Sequence, residues 1–262
     1  MLFQRELARN IKPFIITTVI CSAMVLYIIS MSTSFGKDIQ QILDIKLPKN
    51  MQAAFGMKGL DYSKPGSFFA LSFSYIYLFI SIYFSSIFAV IVSKEFSEKT
   101  AEYLFSLPEK RIKIIFTKLS VAFLYSFLSV LIIFLTAWFS MEVFTDGNYD
   151  LAPILLMSLA WLIGGITFGS ISYLLSSFYT KTRTVSSISV GMVLIMYLMQ
   201  VVISVNEKAE FLKYISPFDW FKGAEIDRTV ELSIIYCIIA IVVTAACIFL
   251  GSKRFNKMDV LI

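Results

Sequence analysis

Six long apolar runs, at about 13–33, 67–93, 118–141, 151–178, 185–205 and 232–251, divide this chain, with polar segments between them. At 1.5 Å per helical residue, each run is long enough to cross a hydrocarbon core of about 30 Å. Strands are not expected, because an isolated span must satisfy its own backbone hydrogen bonds. The pattern therefore predicts an all-α polytopic membrane protein, with residues 1–262 forming a single transmembrane domain.

The polar segments differ in character. Residues 1–12, MLFQRELARNIK, place Leu2, Phe3, Leu7 and Ile11 on one helical side, with Arg5, Arg9 and Lys12 opposite. This predicts a short interfacial helix, with Glu6 also in its polar part, that either anchors the first span or meets a partner. The first span is expected to end near Gly36, with short interfacial pieces at 43–48 and 51–59 in the loop that follows. Lys94–Lys118, KEFSEKTAEYLFSLPEKRIKIIFTK, is the long charged segment between two apolar runs. As a helix from Lys94, it sets Phe96, Thr100, Tyr103, Leu104 and Leu107 against an opposite face of Lys94, Glu95, Glu98, Lys99 and Glu102, with Phe105 off pattern. Pro108 ends it, and Lys110, Arg111 and Lys113 follow as a basic cluster. An apolar face for membrane helices and an acidic face for the aqueous phase predict a docking element through which a soluble partner moves the membrane part.

Further along, Trp138 and Phe139 suit an aromatic belt, and the turn at Asp146-Gly147-Asn148 makes spans three and four a hairpin. Gly164, Gly165 and Gly169 predict close helix contact, or alternatively a bend or a role in a pathway. The short turn 180–184 should bring span five back beside span four. Between spans five and six lies Ser216-Pro217-Phe218-Asp219-Trp220-Phe221-Lys222. Phe218, Trp220 and Phe221 can occupy the headgroup layer while Asp219 and Lys222 stay hydrated, as an interfacial anchor or as a lid or re-entrant element.

Charge then sets an orientation. Of 23 Lys and Arg, 14 fall in the N-terminus, the 94–118 and 179–184 loops and the C-terminus, whereas the other three loops hold 12 of the 18 Asp and Glu. The positive-inside rule predicts both termini and the 94–118 segment to be cytoplasmic. Composition agrees with a membrane class: 58% of residues are hydrophobic, 16% are charged and the mean hydropathy is +0.78. The net charge of +5 follows from this asymmetry and gives no reason to propose nucleic acid. The first span reads as retained rather than cleaved.

Chemistry is sparse. There is no His, and Cys21, Cys237 and Cys247 lie in spans without ligand spacing, so neither a disulfide nor a metal site is expected. The spans hold essentially no charged residues away from their ends, which weakens a proton- or ion-coupled mechanism. HExxH, GxSxG and GxxxxGK[ST] are absent, so the chain is expected to be no enzyme and no ATPase by itself.

These features, with Glu95-Phe-Ser-Glu98-Lys-Thr-Ala-Glu102-Tyr103-Leu-Phe-Ser-Leu107-Pro108-Glu-Lys-Arg111 as the most specific, resemble the membrane-spanning permease subunit of bacterial ABC exporters of the type-two class. Lys99 stands where that family commonly has Gly. The resemblance implies that Glu95, Glu98 and Glu102 belong to a coupling helix seated in a groove of a nucleotide-binding subunit. It also makes Ser216-Pro217-Phe218 the outer segment before the last span and Arg254–Asp259 the closing tail. It further implies two cytoplasmic ATPase subunits that carry ATP and Mg, a second permease chain, a bacterial cell-membrane location, and no cofactor on this chain. A hydrophobic peptide, toxin or drug is the expected cargo. A gradient-driven transporter and a non-transporting scaffold or sensor are the alternatives.

Overall fold

The computed structural model describes residues 2–46, 64–97, 111–147, 149–179, 181–205 and 207–257, and the isolated positions 52, 56, 57 and 60. The helices are α1 (Leu2–Lys46), α2 (Pro65–Ser97), α3 (Arg111–Thr145), α4 (Leu151–Ser176), α5 (Thr182–Val205), α6 (Pro217–Trp220), α7 (Gly223–Thr229) and α8 (Ile234–Lys257). A 3-10 turn, Glu207–Tyr214, follows α5. Six of the helices, α1 to α5 and α8, are long and apolar enough to cross a membrane. The described residues thus form an all-α six-span bundle, as the periodicity predicts.

α2 is the central helix. Within its most apolar stretch 72% is buried, against 17% in α5 and in α8. It packs most extensively on α4 and also against α5, α1 and α3, while α3 pairs chiefly with α1 and α8 with α4. Span five therefore does not lie chiefly beside span four, as its short connecting turn suggests. It leans on α2, because α4 already spends its small-residue face on α2. A Cβ at Gly164 would collide with the Tyr77 hydroxyl oxygen, and Cβ atoms at Gly165 and Gly169 would meet the Phe84 and Phe88 rings at 2.6 and 2.8 Å. Close helix approach, the first of the two readings of these glycines, is what the structure displays.

Local signals set several boundaries. Asp150 caps α4, its carboxylate accepting from the Ala152 amide at 3.0 Å. Asp146 and Gly147 turn the chain with φ of 50° and 75°, a left-handed conformation that Asp tolerates and Gly adopts freely.

The N-terminal region departs from expectation. α1 is one helix of 45 residues with Pro13 inside it, so residues 1–12 are not a separate interfacial helix. It also continues past Gly36 to Lys46, through part of the expected 43–48 piece. Its buried side near the start is polar: Glu6 and Asn10 are buried, whereas Phe3 and Ile11 are exposed. The turn before the proline is fixed on α3, where the Tyr125 hydroxyl donates to the Leu7 carbonyl at 2.7 Å.

Candidate functional site

Among the described residues, polar chemistry gathers at each end of α2. At its C-terminal end stands a cluster of charges drawn from three helices. Lys118 on α3 is 1% exposed, and its Nζ donates to Glu6 Oε1 on α1 at 2.7 Å and to Glu95 Oε1 on α2 at 2.9 Å. Arg9 on α1 donates to the same Glu95 oxygen at 2.8 Å, and Arg5 lies 3.8 Å from Glu95 Oε2. Two carboxylates thus face one ammonium and one close guanidinium, with a second guanidinium at the rim. Such a cluster persists away from water only when every member is paired, because each buried ion loses several kcal/mol of hydration. The Asn10 amide adds a bond to the Glu6 carbonyl at 2.9 Å, further fixing this turn of α1.

Two expectations change here. Glu95 does not face water as the helical pattern suggests; α2 runs on to Ser97, and Glu95 is 1% exposed inside the bundle. Lys118 is not a boundary residue, because α3 begins at Arg111 and places it two turns inside the helix. Arg5, Glu6 and Arg9 are brought together around Glu95. Arg111, half-buried, opens α3. Glu98, Glu102, Tyr103, Leu107 and Pro108 lie outside the described residues.

At the other end of α2, the segment after α5 turns inward. Pro217, Phe218, Asp219, Trp220 and Phe221 are all buried, so Asp219 is not the hydrated residue that the pattern suggests, and the aromatic residues around it pack against protein. Phe218 is wedged among Tyr77 and Phe168, each at 4.8 Å, and Tyr197 at 5.6 Å. The Tyr77 hydroxyl donates to the Pro217 carbonyl at 3.1 Å and the Ser216 hydroxyl to the Met196 carbonyl at 3.2 Å. These bonds satisfy the irregular backbone that otherwise could not lie inside a bundle. The segment is thus inserted among α2, α4 and α5 rather than laid along their surface.

Beside it lies a cavity of about 520 Å³ whose wall includes Ser74, Gln200, Asp219, Lys222 and Tyr236. Asp219 Oδ1 is 3.1 Å from Lys222 Nζ. Burial raises the Asp219 pKa above its ordinary value, and the positive charges of Lys222 and Lys213 only partly oppose this. At the opposite end, Arg254 closes α8 onto α4, donating to the Ser177 carbonyl at 3.0 Å and lying over the Phe178 ring at 4.1 Å.

Sequence reasoning missed Lys118 and Asp219. A lysine inside an apolar helix was the available signal for the first, since such a residue requires a partner. For the second, nothing in the local pattern distinguishes an inserted aromatic segment from one lying on the surface.

Among the described residues no group of three His, Cys, Asp or Glu could hold a metal ion, and Cys21, Cys237 and Cys247 are free thiols. The arrangement offers a charge cluster that joins three helices and a cavity with polar groups on its wall. No curated protein matches the chain. A family model described as ABC-2 family transporter protein matches residues 6–260, almost the entire length, and so the chain, a six-span membrane protein, belongs to that family.

Proposed function

We propose that this chain is the permease subunit of an ATP-driven exporter in the bacterial cell membrane, moved by separate nucleotide-binding subunits. Family membership supports the permease reading. The observation that carries the mechanical reading is the Glu6–Lys118–Glu95–Arg9 cluster, because it links α1, α2 and α3 on both sides of the acidic stretch 98–110.

Two cytoplasmic ATPase subunits, holding ATP and Mg, dock on the 98–110 stretch through Glu98 and Glu102. Both chain termini lie on that same side, in keeping with the distribution of basic residues. Nucleotide binding draws the ATPases together, and the docking surface favours a different permease arrangement in each nucleotide state. Because Glu95 and Lys118 are joined, displacement of the stretch between them acts on α2 and α3 together and, through Glu6 and Arg9, on α1. A second permease chain completes the pathway. The broad apolar outer faces of α1 and α5, with Ile16, Val19, Ile195 and Leu198 exposed, suit lipid and a second copy. The cargo is hydrophobic or amphipathic, such as a peptide, toxin or drug.

Affinity isolation of the intact assembly from native membranes tests this reading. A companion chain with a phosphate-binding loop and ATPase activity is expected. An assembly lacking any nucleotide-hydrolysing chain would overturn it.

A further inference from the structure

The cavity beside the inserted segment has the makings of a ligand site. Its volume, about 520 Å³, lies in the range of small-molecule pockets. It is remote from the charge cluster: Ser74 on its wall and Glu95 are 21 positions apart on one helix, about 30 Å. Its walls come from α2, α5, α7, α8 and the inserted segment, so an occupant would touch most of this end of the bundle.

The decisive feature is Asp219. Its side chain is 1% exposed, and Oδ2 has no hydrogen-bond partner among the described residues. Lys222 Nζ lies 3.1 Å from Oδ1, from a half-exposed position at the rim. The second lysine on the wall, Lys213, lies over the Tyr214 ring at 5.4 Å. A buried carboxylate oxygen without a donor is costly, by an amount that a matching donor would recover. Around it the wall supplies apolar surface from Ala70, Ile203 and Ala224, and an aromatic face from Tyr236, which stacks on Trp220 at 6.2 Å and 6°. A second cavity, of about 230 Å³, shares Lys222, Glu225 and Tyr236 as wall residues, so the site adjoins a smaller neighbouring space.

We propose that this cavity binds a small amphipathic amine, whose ammonium donates to Asp219 Oδ2 while its apolar body lies against Ile203, Ala224 and Tyr236. An ammonium meets the requirement better than a neutral donor, because it adds attraction between opposite charges to the hydrogen bond. Glu225 on the same wall keeps the net field of the four charged residues close to neutral, so a single added cation is not repelled. Tyr236 adds a cation–π surface. The site is defined on this chain alone, so it holds or fails independently of any ATPase partner.

The experiment uses the full chain in lipid nanodiscs and a photoreactive probe, benzoylphenylalanyl-leucinamide, with a free amine or N-acetylated. Labelling should map to the Ile203 and Tyr236 neighbourhood, with the free amine half-saturating at about tenfold lower concentration than the acetylated form. Asp219→Asn should abolish that preference by weakening only the free amine. Ser204→Phe, which fills the cavity and leaves Asp219 in place, should reduce labelling by both forms, and serves if the first variant does not fold. Equal labelling by the two forms in the native chain would overturn the proposal. So would an unchanged preference in Asp219→Asn, undiminished labelling in Ser204→Phe, or labelling confined to outward residues of α5 such as Leu198.

Discussion

Lys118 and Glu95 stand at the two ends of the 98–110 stretch, and their side chains meet at 2.9 Å inside the bundle. The contact closes a loop: whatever is done to the intervening stretch is referred back to one buried ion pair and, through Lys118, to Glu6. Replacing Lys118 by Met takes away the ammonium that donates to both buried carboxylates, Glu6 and Glu95. Removing one partner of a buried pair costs about 3–5 kcal/mol. The unfolding temperature of purified Lys118→Met in detergent should therefore fall by several degrees, and adding Glu6→Gln should recover part of the loss. A variant as stable as the native chain would mean that the cluster is not paired as described.

Exchanging the two charges should not restore the pair. Glu95 also accepts from Arg9, and Lys118 also serves Glu6, so Glu95→Lys with Lys118→Glu sets lysine beside arginine and glutamate beside glutamate. The double variant is expected to be no more stable than Lys118→Met. Recovery of native stability would reduce the network to one isolated pair.

The glycine face of α4 makes a graded prediction. Gly164→Ala drives a methyl into Tyr77, whose hydroxyl holds the inserted segment at Pro217, so both the helix contact and that bond suffer. A loss of about 1–3 kcal/mol follows from overpacking. Gly191→Ala on α5 meets nothing within 4 Å and should be neutral or slightly stabilising. Thermal unfolding of the two variants side by side tests the contrast, and equal effects would contradict it.

Asp219 should destabilise the folded chain at neutral pH. Burial raises its folded-state pKa above the ordinary 3.8, so the folded protein holds the proton more tightly than the unfolded chain. The resulting stabilisation is complete below the unfolded value and is lost as pH rises through the folded one. Asp219→Asn, permanently neutral, should thus unfold at a higher temperature than the native chain at pH 7, with the advantage shrinking as pH approaches 4. An advantage that grows on acidification would reverse the sign.

The span count was legible because each apolar run is long enough to cross a bilayer and each gap is polar. The glycine contacts were legible for a similar reason, since small residues in a Leu and Ile background have few other uses. The misreadings share one cause. Helical periodicity assigns a side to each residue without saying what covers it, so Glu95 read as a hydrated glutamate although Arg9 and Lys118 come from elsewhere in the sequence to cover it. Glu6 and Asn10 likewise lie on the polar side of an amphipathic helix that packs by that side. Residues 1–12 read as a separate interfacial helix, because local amphipathicity does not reveal that the same helix runs on through Pro13 into the first span. Asp219 read as solvated, since the aromatic residues around it suit a membrane surface and a bundle interior equally.

The central claim is that force made in another polypeptide enters through Glu98 and Glu102 and passes to the buried clamp. The most direct measurement compares the assembly isolated from native membranes with that of Glu98→Lys/Glu102→Lys, scoring both the co-isolated ATPase and ATP hydrolysis in reconstituted vesicles. The account predicts that the ATPase accompanies the native chain and is largely lost from the variant, while membrane insertion and unfolding temperature stay unchanged. An ATPase that co-isolates equally with both, with equal hydrolysis, would contradict it.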